Sequence, residues 1–410
     1  MQAVKWFRLA ADHGHAGGQF FLGNRYRTGQ GVPQDDVQAM KWYRLAADQG
    51  NASAQYNLGV RFAKGQGVPQ DDVQAVKWFR LAADQGEAGA QFNLGVMFAN
   101  GLGVPQDDVQ AVKWLRLAAD QGHAGGQSNL GFMFDNGRGV KQDHVQAVKW
   151  FRLAADQGEA GAQFNLGVSF TKGEGVTQDH VQAVKWYRLA ADQGLANAQF
   201  ALGRMFDKGQ GVKQDDVQAM KWYRLVADQG HASAQFNLGN GYDNGRGVPQ
   251  DDVQAAKWYR LAADQGNAGG QTLLGLMYGT GRGVPQDHVQ AVKWLRLAAD
   301  QGHAAAQLAL GFMYDNGEGV PQNHAEAVKW FRLAADQGNA SAQYNLGAMY
   351  NNGQGVPQNH VLAHMWYNLA GAQGVADAPK YRDLSASKMT PAQIAEAQRL
   401  AREWKPKVAQ

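Results

Sequence analysis

Tryptophan recurs every 36 residues along almost the whole chain, and only Trp404 falls outside the series. A fixed spacing of this length predicts that each repeat is one supersecondary unit stacked on its neighbours. The 410 residues would otherwise suggest two or three separate domains. The spacing instead predicts a continuous array, whose tryptophans are Trp6, Trp42, Trp78, Trp114, Trp150, Trp186, Trp222, Trp258, Trp294, Trp330 and Trp366.

Each repeat is predicted to contain two helices, as residues 51–86 illustrate. The first helix extends from about Ala52 to Lys64, where apolar residues recur at helical spacing. The segment KGQGVPQD then ends it, since its glycines can adopt positive φ and its proline cannot continue a helix. The second helix begins after Asp71, which opens a D-x-x-Q version of the capping box, and ends before Gly86. The positions expected to be buried in it are Ala75, Trp78, Phe79, Ala82 and Ala83.

Two recurring residues of the first helix are unusual for a buried stripe. Gly59 and its counterparts weaken the helix by about 1 kcal/mol each relative to alanine. Their recurrence predicts that a bulky side chain, the recurring tryptophan, packs against the backbone there. Gln55 lies on the same stripe, where a buried amide without partners would be unfavourable. We therefore expect the Gln55 amide to hydrogen-bond the backbone of the neighbouring loop.

The complete repeat has a recognisable pattern. It contains A-x-A-Q-Y-N-L-G-x-M-Y-x-x-G-x-G-V-P-Q-D, followed by A-V-K-W-Y-R-L-A-A-x-Q-G. This pattern resembles the Sel1-like repeat, a relative of the tetratricopeptide repeat with a longer loop between its helices. The resemblance covers residues 1–374 and implies an all-α fold, a right-handed superhelical α-solenoid of about ten and a half helix-turn-helix repeats. It also implies an adaptor role in assembling protein complexes, and the tail MTPAQIAEAQRLAREWKP resembles the closing helix of bacterial members.

The C-terminal end of the array differs from its middle. Around Trp366, three charged positions of the second helix are replaced by Met365, Asn368 and Ala372, so another element is expected to cover this face. The final helix is the candidate, because the segment TPAQ carries a capping signal and a favourable first-turn proline. Residues 375–410 are therefore predicted to form a C-terminal capping segment. The apolar stripe of its last helix comprises Ile394, Ala397, Ala401 and Trp404.

The N-terminal end has no comparable cover. The chain begins within a repeat, since MQAVKWFRLAAD aligns with the later VQAMKWYRLAAD. We expect either a further segment upstream of Met1 or self-association through this uncapped face. The sequence does not specify a compartment, and a bacterial source would favour the periplasm or secretion, with a leader preceding Met1.

Positions that vary between repeats are candidates for function, because the recurring ones form the core. In the first helix, variation concentrates at the third, sixth, tenth and thirteenth residues, counted from Asn51 in the type repeat, which share one helix face. The likeness to tetratricopeptide proteins implies that this face lines the inner groove. We expect it to bind a protein or peptide ligand carrying some basic residues, along aromatic side chains edged by carboxylates. The alternative is that the sixth-position aromatics only pack between adjacent repeats. The candidate binding residues are Phe20, Tyr56, Phe92, Phe132, Asp135, Phe164, Phe200, Arg204, Asp207, Phe236, Asn240, Asp243, Phe312, Asp315 and Tyr344.

Composition argues against several other functions. The 39 lysines and arginines nearly balance the 36 acidic residues, so nucleic-acid binding is not expected. No segment is apolar for long enough to span a membrane. The chain has no cysteine, which excludes disulfides, thiolate metal sites and a cysteine nucleophile.

The histidines and paired aspartates do not indicate a metal or catalytic site. His360 and His364 are spaced for chelation on one helix, but no third ligand is evident. Other histidines recur at helix starts, and pairs such as Asp35 and Asp36 stand at helix N-termini, where negative charge is favourable. On the outer face, Arg44 and its equivalents are expected to form i,i+4 pairs with the acid four residues later.

We therefore predict a non-enzymatic scaffold without catalytic residues, cofactor or metal. A structural spacer is one alternative. The other is a cell-envelope-acting enzyme, as claimed for some relatives, although the absence of cysteine departs from the cysteine-rich secreted subgroup to which such activities are attributed.

Overall fold

A computed structural model describes residues 2–407 and shows an α-solenoid. Within that range there are 23 helices and no strands. The helices are α1 (Gln2–Asp12), α2 (Ala16–Thr28), α3 (Asp36–Asp48), α4 (Ala52–Lys64), α5 (Asp72–Asp84), α6 (Ala88–Asn100), α7 (Asp108–Asp120), α8 (Ala124–Asn136), α9 (His144–Asp156), α10 (Ala160–Lys172), α11 (His180–Asp192), α12 (Ala196–Lys208), α13 (Asp216–Ala227), α14 (Ala232–Asn244), α15 (Asp252–Asp264), α16 (Ala268–Thr280), α17 (His288–Asp300), α18 (Ala304–Asn316), α19 (His324–Asp336), α20 (Ala340–Asn352), α21 (His360–Ala372), α22 (Ala378–Ala386) and α23 (Pro391–Glu403).

The chain forms two compact units. The first extends to Met205 and includes Gly209–Lys213, and the second comprises Phe206–Lys208 and the residues from Gln214 onward. Within each unit the even-numbered helices up to α20 are the first helices of the repeats and the odd-numbered ones are the second helices. Consecutive helices pack on each other from α1 to α11 and from α13 to α22. None of the described helices has the length and apolar character needed to cross a membrane.

The type repeat has the predicted helix bounds. Helix α4 covers Ala52–Lys64, and α5 follows an N-cap at Asp71, whose carboxylate accepts the amide of Gln74 at 2.9 Å. The reciprocal half of the expected capping box does not form, because the Asp71 amide donates to the carbonyl of Phe62 instead (2.9 Å). Only the predicted box at Thr390, which begins α23, has both hydrogen bonds.

The loop between the two helices passes directly over the preceding repeat. Gly65 and Gly67 have φ values of +66° and +76°, which favour glycine. A Cβ atom on Gly67 would lie 2.5 Å from the carbonyl oxygen of Asp36, the first residue of α3. The close approach brings the residue between the two glycines to the start of the preceding second helix.

The recurring mid-helix glycine accommodates an aromatic or leucine side chain, but not the tryptophan that the sequence suggested. A Cβ atom on Gly59 would lie 2.5 Å from the ring of Phe79, the residue after Trp78. Phe79 is 2% exposed and fills the space above the glycine. The expectation of tryptophan was therefore wrong by one residue: Phe79, and not Trp78, faces the first helix of the same repeat. The equivalent side chains are Tyr43, Leu115, Phe151, Tyr187, Tyr259, Leu295, Phe331 and Tyr367.

The tryptophans instead join the second helices of adjacent repeats. Trp294 of α17 packs against α15, the second helix of the preceding repeat, and against α16 of its own repeat. Arg44 lies 5.3 Å from the centroid of the Trp78 ring in the following repeat. The guanidinium over the indole ring is a favourable cation–π arrangement. The expected i,i+4 ion pair forms at the equivalent residues Arg224 and Asp228, which are 3.6 Å apart, and Arg224 also lies 5.1 Å from the centroid of the Trp258 ring.

A hydrogen-bonded glutamine pair supports each junction between helices. Gln55 is 4% exposed, and its amide nitrogen donates to the carbonyl of Ala47 at 3.1 Å. Its amide oxygen accepts from Gln85 at 2.7 Å. The amide is thus bonded to neighbouring backbone as expected, although the acceptor lies in the last turn of α3 rather than in a loop. The equivalent pairs are Gln19–Gln49, Gln91–Gln121, Gln127–Gln157, Gln163–Gln193, Gln235–Gln265, Gln271–Gln301, Gln307–Gln337 and Gln343–Gln373.

The last second helix is covered at two of the three positions that lost a charge: Met365 is buried and Asn368 half-buried, whereas Ala372 is exposed. Helix α21 packs against both α22 and α23, and Met365 is 7% exposed. Trp404 meets Trp366 edge to face, with ring centroids 6.3 Å apart. At the opposite end, Trp6 is 66% exposed. The boundary at residue 375 and self-association through the N-terminal face stay predictions.

Candidate peptide-binding face

The variable positions of each first helix lie on one side of that helix. Within each compact unit we call the surface formed by the sixth, tenth and thirteenth residues of the repeats the first-helix face. The sixth-position aromatics are half-buried and touch more than one helix. The ring of Tyr56 in α4 lies 6.0 Å from that of Phe79 in α5 and closely approaches Gly89 in α6. The sixth-position aromatics therefore pack between adjacent repeats, which is the alternative role considered for them. The half-buried members are Phe20, Tyr56, Phe92, Phe164, Phe200, Phe236 and Tyr344.

The tenth row is more accessible. Phe132 in α8 is 43% exposed, and Phe312 in α18 is 39% exposed. They belong to different compact units. Arg204 is exposed as well, whereas Asn240 accepts a hydrogen bond from the hydroxyl of Tyr259 at 2.7 Å. The two phenylalanines are the predicted residues that present the most aromatic surface to solvent.

A depression lies on the same face between α4 and α6. Val60 and Val96, both tenth-position residues, contribute to its wall, and Phe79 contributes from the second helix α5. The volume is about 250 Å³, and Lys64 and Asp72 place opposite charges on its wall. The combination of apolar walls and a few polar groups is typical of sites that accept one side chain of a ligand.

The thirteenth-position carboxylates already have partners within the chain. Asp207 accepts from Arg246 at 2.9 Å, and Asp243 pairs with Arg282. In the other two repeats the partner is instead a histidine, the first residue of the following second helix. His144 Nδ1 lies 2.8 Å from Asp135 Oδ1, and His324 Nδ1 lies 2.7 Å from Asp315 Oδ1. The arginines compensate the charges of Asp207 and Asp243, which lowers the value of these two carboxylates for recruiting a basic ligand.

The ion pairs also shift the titration of their members. A hydrogen bond from Arg282 lowers the pKa of the Asp252 carboxyl. Burial raises the pKa of the Tyr259 hydroxyl, and the nearby Asp243 carboxylate raises it further. At neutral pH, Tyr259 therefore stays protonated and donates to Asn240 and Asp243.

Two kinds of residue on this surface were missed from the sequence. Asn93 at the seventh position lines the depression, although its recurrence suggested a core residue. The sequence signal that could have identified this position is the polar asparagine that follows most of the sixth-position aromatics. Arg246 and Arg282 were missed because they lie 39 residues from the carboxylates they pair with. The repeating asparagines are Asn57, Asn93, Asn129, Asn165, Asn237 and Asn345.

The histidines at helix starts have the boundary roles that were predicted. Nδ1 of His123 accepts the amide of Gly126 at 3.1 Å, and burial lowers the pKa of this imidazole. His364 in α21 is 4% exposed and, like His360, has a buried Nδ1 without a hydrogen-bond partner. Burial also lowers the pKa of both imidazoles. Neither belongs to a three-ligand cluster among the described residues.

Comparison with known proteins agrees with this architecture. A crystal structure of a protective antigen present in uropathogenic Escherichia coli strains, which displays an SLR fold, is 35% identical, with a TM-score of 0.68 over 99% of this chain and 95% of that one. A Sel1 repeat protein from Oxalobacter formigenes is 37% identical, with a TM-score of 0.57 over 75% of this chain and 89% of its own. No curated protein is significantly similar.

The repeats themselves match a family model. The Sel1 repeat model matches residues 1–15, 16–51, 52–87, 88–123, 124–159, 160–195, 196–231, 232–267, 268–303, 304–339 and 340–375. These ranges begin at the first helix of each repeat from residue 16 onward and leave only the C-terminal segment unmatched. The chain therefore belongs to the Sel1 repeat family.

Proposed function

We propose that this protein is a non-enzymatic scaffold that holds a protein or peptide partner on its first-helix face. Sel1 repeat solenoids are generally protein-interaction scaffolds. The observation that carries the proposal is the exposure of Phe132 and Phe312, 43% and 39%, on well-packed helices. An aromatic side chain that is already ordered loses little entropy on binding, so it is a favourable anchor for a partner.

The proposed partner presents apolar side chains rather than a basic stretch. The depression between α4 and α6 offers apolar walls, and the thirteenth-position carboxylates are already paired with arginine or histidine. A basic peptide would first have to displace these internal cations. Nucleic acid is not the proposed ligand, because basic side chains such as Arg246 and Arg282 are likewise paired with carboxylates.

Partner capture with a matched control tests this proposal. We expect Phe132→Ala/Phe312→Ala to lose most of the partner that the wild-type protein recovers from cell extract. The control Val109→Ala/Val289→Ala removes apolar side chains that are each 64% exposed on second helices, and it should recover the partner normally. Thermal unfolding establishes that both variants are folded.

The result also separates the competing functions. Equal recovery by both variants would contradict binding through the first-helix face. If no protein were recovered by any form, a structural spacer would explain the array better. Turnover of a small molecule by the purified protein would instead support an enzyme.

A further inference from the structure

Three positions meet wherever one repeat contacts the next, and we call this meeting point the repeat junction. It comprises the thirteenth residue of a repeat, the first residue of the second helix of that repeat, and the residue between the two loop glycines of the next repeat. In one junction these are Asp207, Asp216 and Arg246. The guanidinium lies 2.9 Å from Asp207 and 2.7 Å from Asp216. A cation thus occupies the space between two carboxylates.

The following junction repeats this arrangement. Arg282 contacts Asp243 and lies 2.8 Å from Asp252. The side chain of Arg282 is 47% exposed, so the pocket between the carboxylates is open to solvent. The junction can therefore hold a positive charge between two carboxylates, one from a first helix and one from the following second helix.

One junction has the acidic groups but no guanidinium. Its three residues are Asp135, His144 and Glu174, so a glutamate stands where arginine stands elsewhere. One ligand atom from each lies within 4.8 Å of the other two. His144 Nδ1 is 2.8 Å from Asp135 Oδ1. Among residues 2–407 this is the single cluster of three such side chains.

We propose that Asp135, His144 and Glu174 bind one divalent transition-metal ion, with zinc as the best fit. Zinc accepts imidazole nitrogen and carboxylate oxygen at about 2.0–2.2 Å, which places ligand atoms about 3.3 Å apart in a tetrahedral site. The side chains are about one-third exposed, so rotamer changes can close the present spacing. Water would complete the coordination. Calcium and magnesium fit less well, because they prefer an all-oxygen ligand set.

Two interactions within the chain compete for the same site. Lys172 Nζ lies 3.3 Å from Glu174 Oε2, but this lysine is 57% exposed, and exposed pairs of this kind are weak. The contact between His144 and Asp135 is the other competing interaction, since a metal ion would have to replace it. A metal ion displaces both by binding the deprotonated imidazole together with the two carboxylates.

The chain contains matched junctions that each lack one ligand. Asp315 and His324 have Gln354 in the third position. His288 faces Glu318 at 3.8 Å, but Gly279 occupies the thirteenth position. Both should bind zinc much more weakly, because two ligands hold the ion less tightly than three.

Equilibrium dialysis of the untagged full-length chain with zinc chloride, after chelator treatment, tests the proposal. We expect about one tightly bound zinc per chain. Glu174→Gln reproduces the Asp315–His324–Gln354 set and should weaken this binding by about tenfold or more. Glu318→Gln, the control, should leave binding unchanged. Gln354→Glu should add a second ion, because it completes a second three-ligand junction.

Each outcome decides the question. Tight binding that Glu174→Gln does not weaken would overturn the proposal, as would a Gln354→Glu variant with no additional zinc. The absence of tight zinc binding in the wild-type chain would also overturn it. Circular dichroism melts of every variant without zinc show whether a loss of binding reflects a loss of structure.

Discussion

Replacement of Gly59 by alanine tests the packing that orients the two helices of each repeat. The added Cβ would lie 2.5 Å from one carbon of the Phe79 ring and 2.6 Å from another. Ordinary carbon contacts are about 3.5–4.0 Å, so the ring must move by roughly 1 Å. Phe79 is 2% exposed and packs against the residues around it, and only its side toward the depression between α4 and α6 borders open space.

The expected magnitude follows from two opposing effects. Alanine favours the helix over glycine by about 1 kcal/mol. Overpacking of a filled core costs about 1–3 kcal/mol, and the near-complete burial of the ring favours the upper end. We therefore expect Gly59→Ala to lower the free energy of unfolding by about 1–2 kcal/mol. For a cooperative unit of 150–250 residues this corresponds to a fall in Tm of roughly 2–8 °C.

Gly161→Ala is the matched control, since it adds the same methyl group to a first helix of the same compact unit. Its Cβ would meet only the flexible side chain of Glu159, at 3.2 Å or more. The helix preference should then dominate and stabilise the protein by up to about 1 kcal/mol. Urea unfolding followed by circular dichroism measures both variants, and hydrogen exchange of the α4 amides localises the effect. Equal or raised stability of Gly59→Ala would refute the packing argument.

Three further substitutions probe buried polar groups. Gln91→Leu should destabilise the chain by about 1 kcal/mol, because the loss of two hydrogen bonds outweighs the gain in apolar burial, and a raised Tm would contradict this. Arg61 is 2% exposed and bonded to Asp36 at 2.9 Å, so Arg61→Met should leave stability unchanged or raise it by up to about 2 kcal/mol in urea unfolding. Asp36→Asn should destabilise the protein instead, since it leaves the guanidinium buried without its counter-charge. If Arg61→Met lowered the free energy of unfolding more than Asp36→Asn does, the ion pair itself would be stabilising and the prediction would be wrong.

Much of the candidate site could be assigned from the sequence, but its electrostatics could not. The exposure of Phe132 and Phe312 follows from helical periodicity, because their position is opposite the buried glycine stripe. The partners of Asp207 and Asp243 could not be assigned in this way. Arg246 and Arg282 reach them from the next repeat, across a loop whose path depends on the positive φ of its glycines.

The sequence by itself determined the helices and their ends. Caps such as Asp71, loop glycines such as Gly65 and the recurring apolar positions act within a few residues of one another, so each repeat specifies its own two helices. Only the tertiary structure decided which side chain faces Gly59. Neighbouring residues on a helix point about 100° apart, and the choice of Phe79 over Trp78 depends on how two helices and the next repeat pack together.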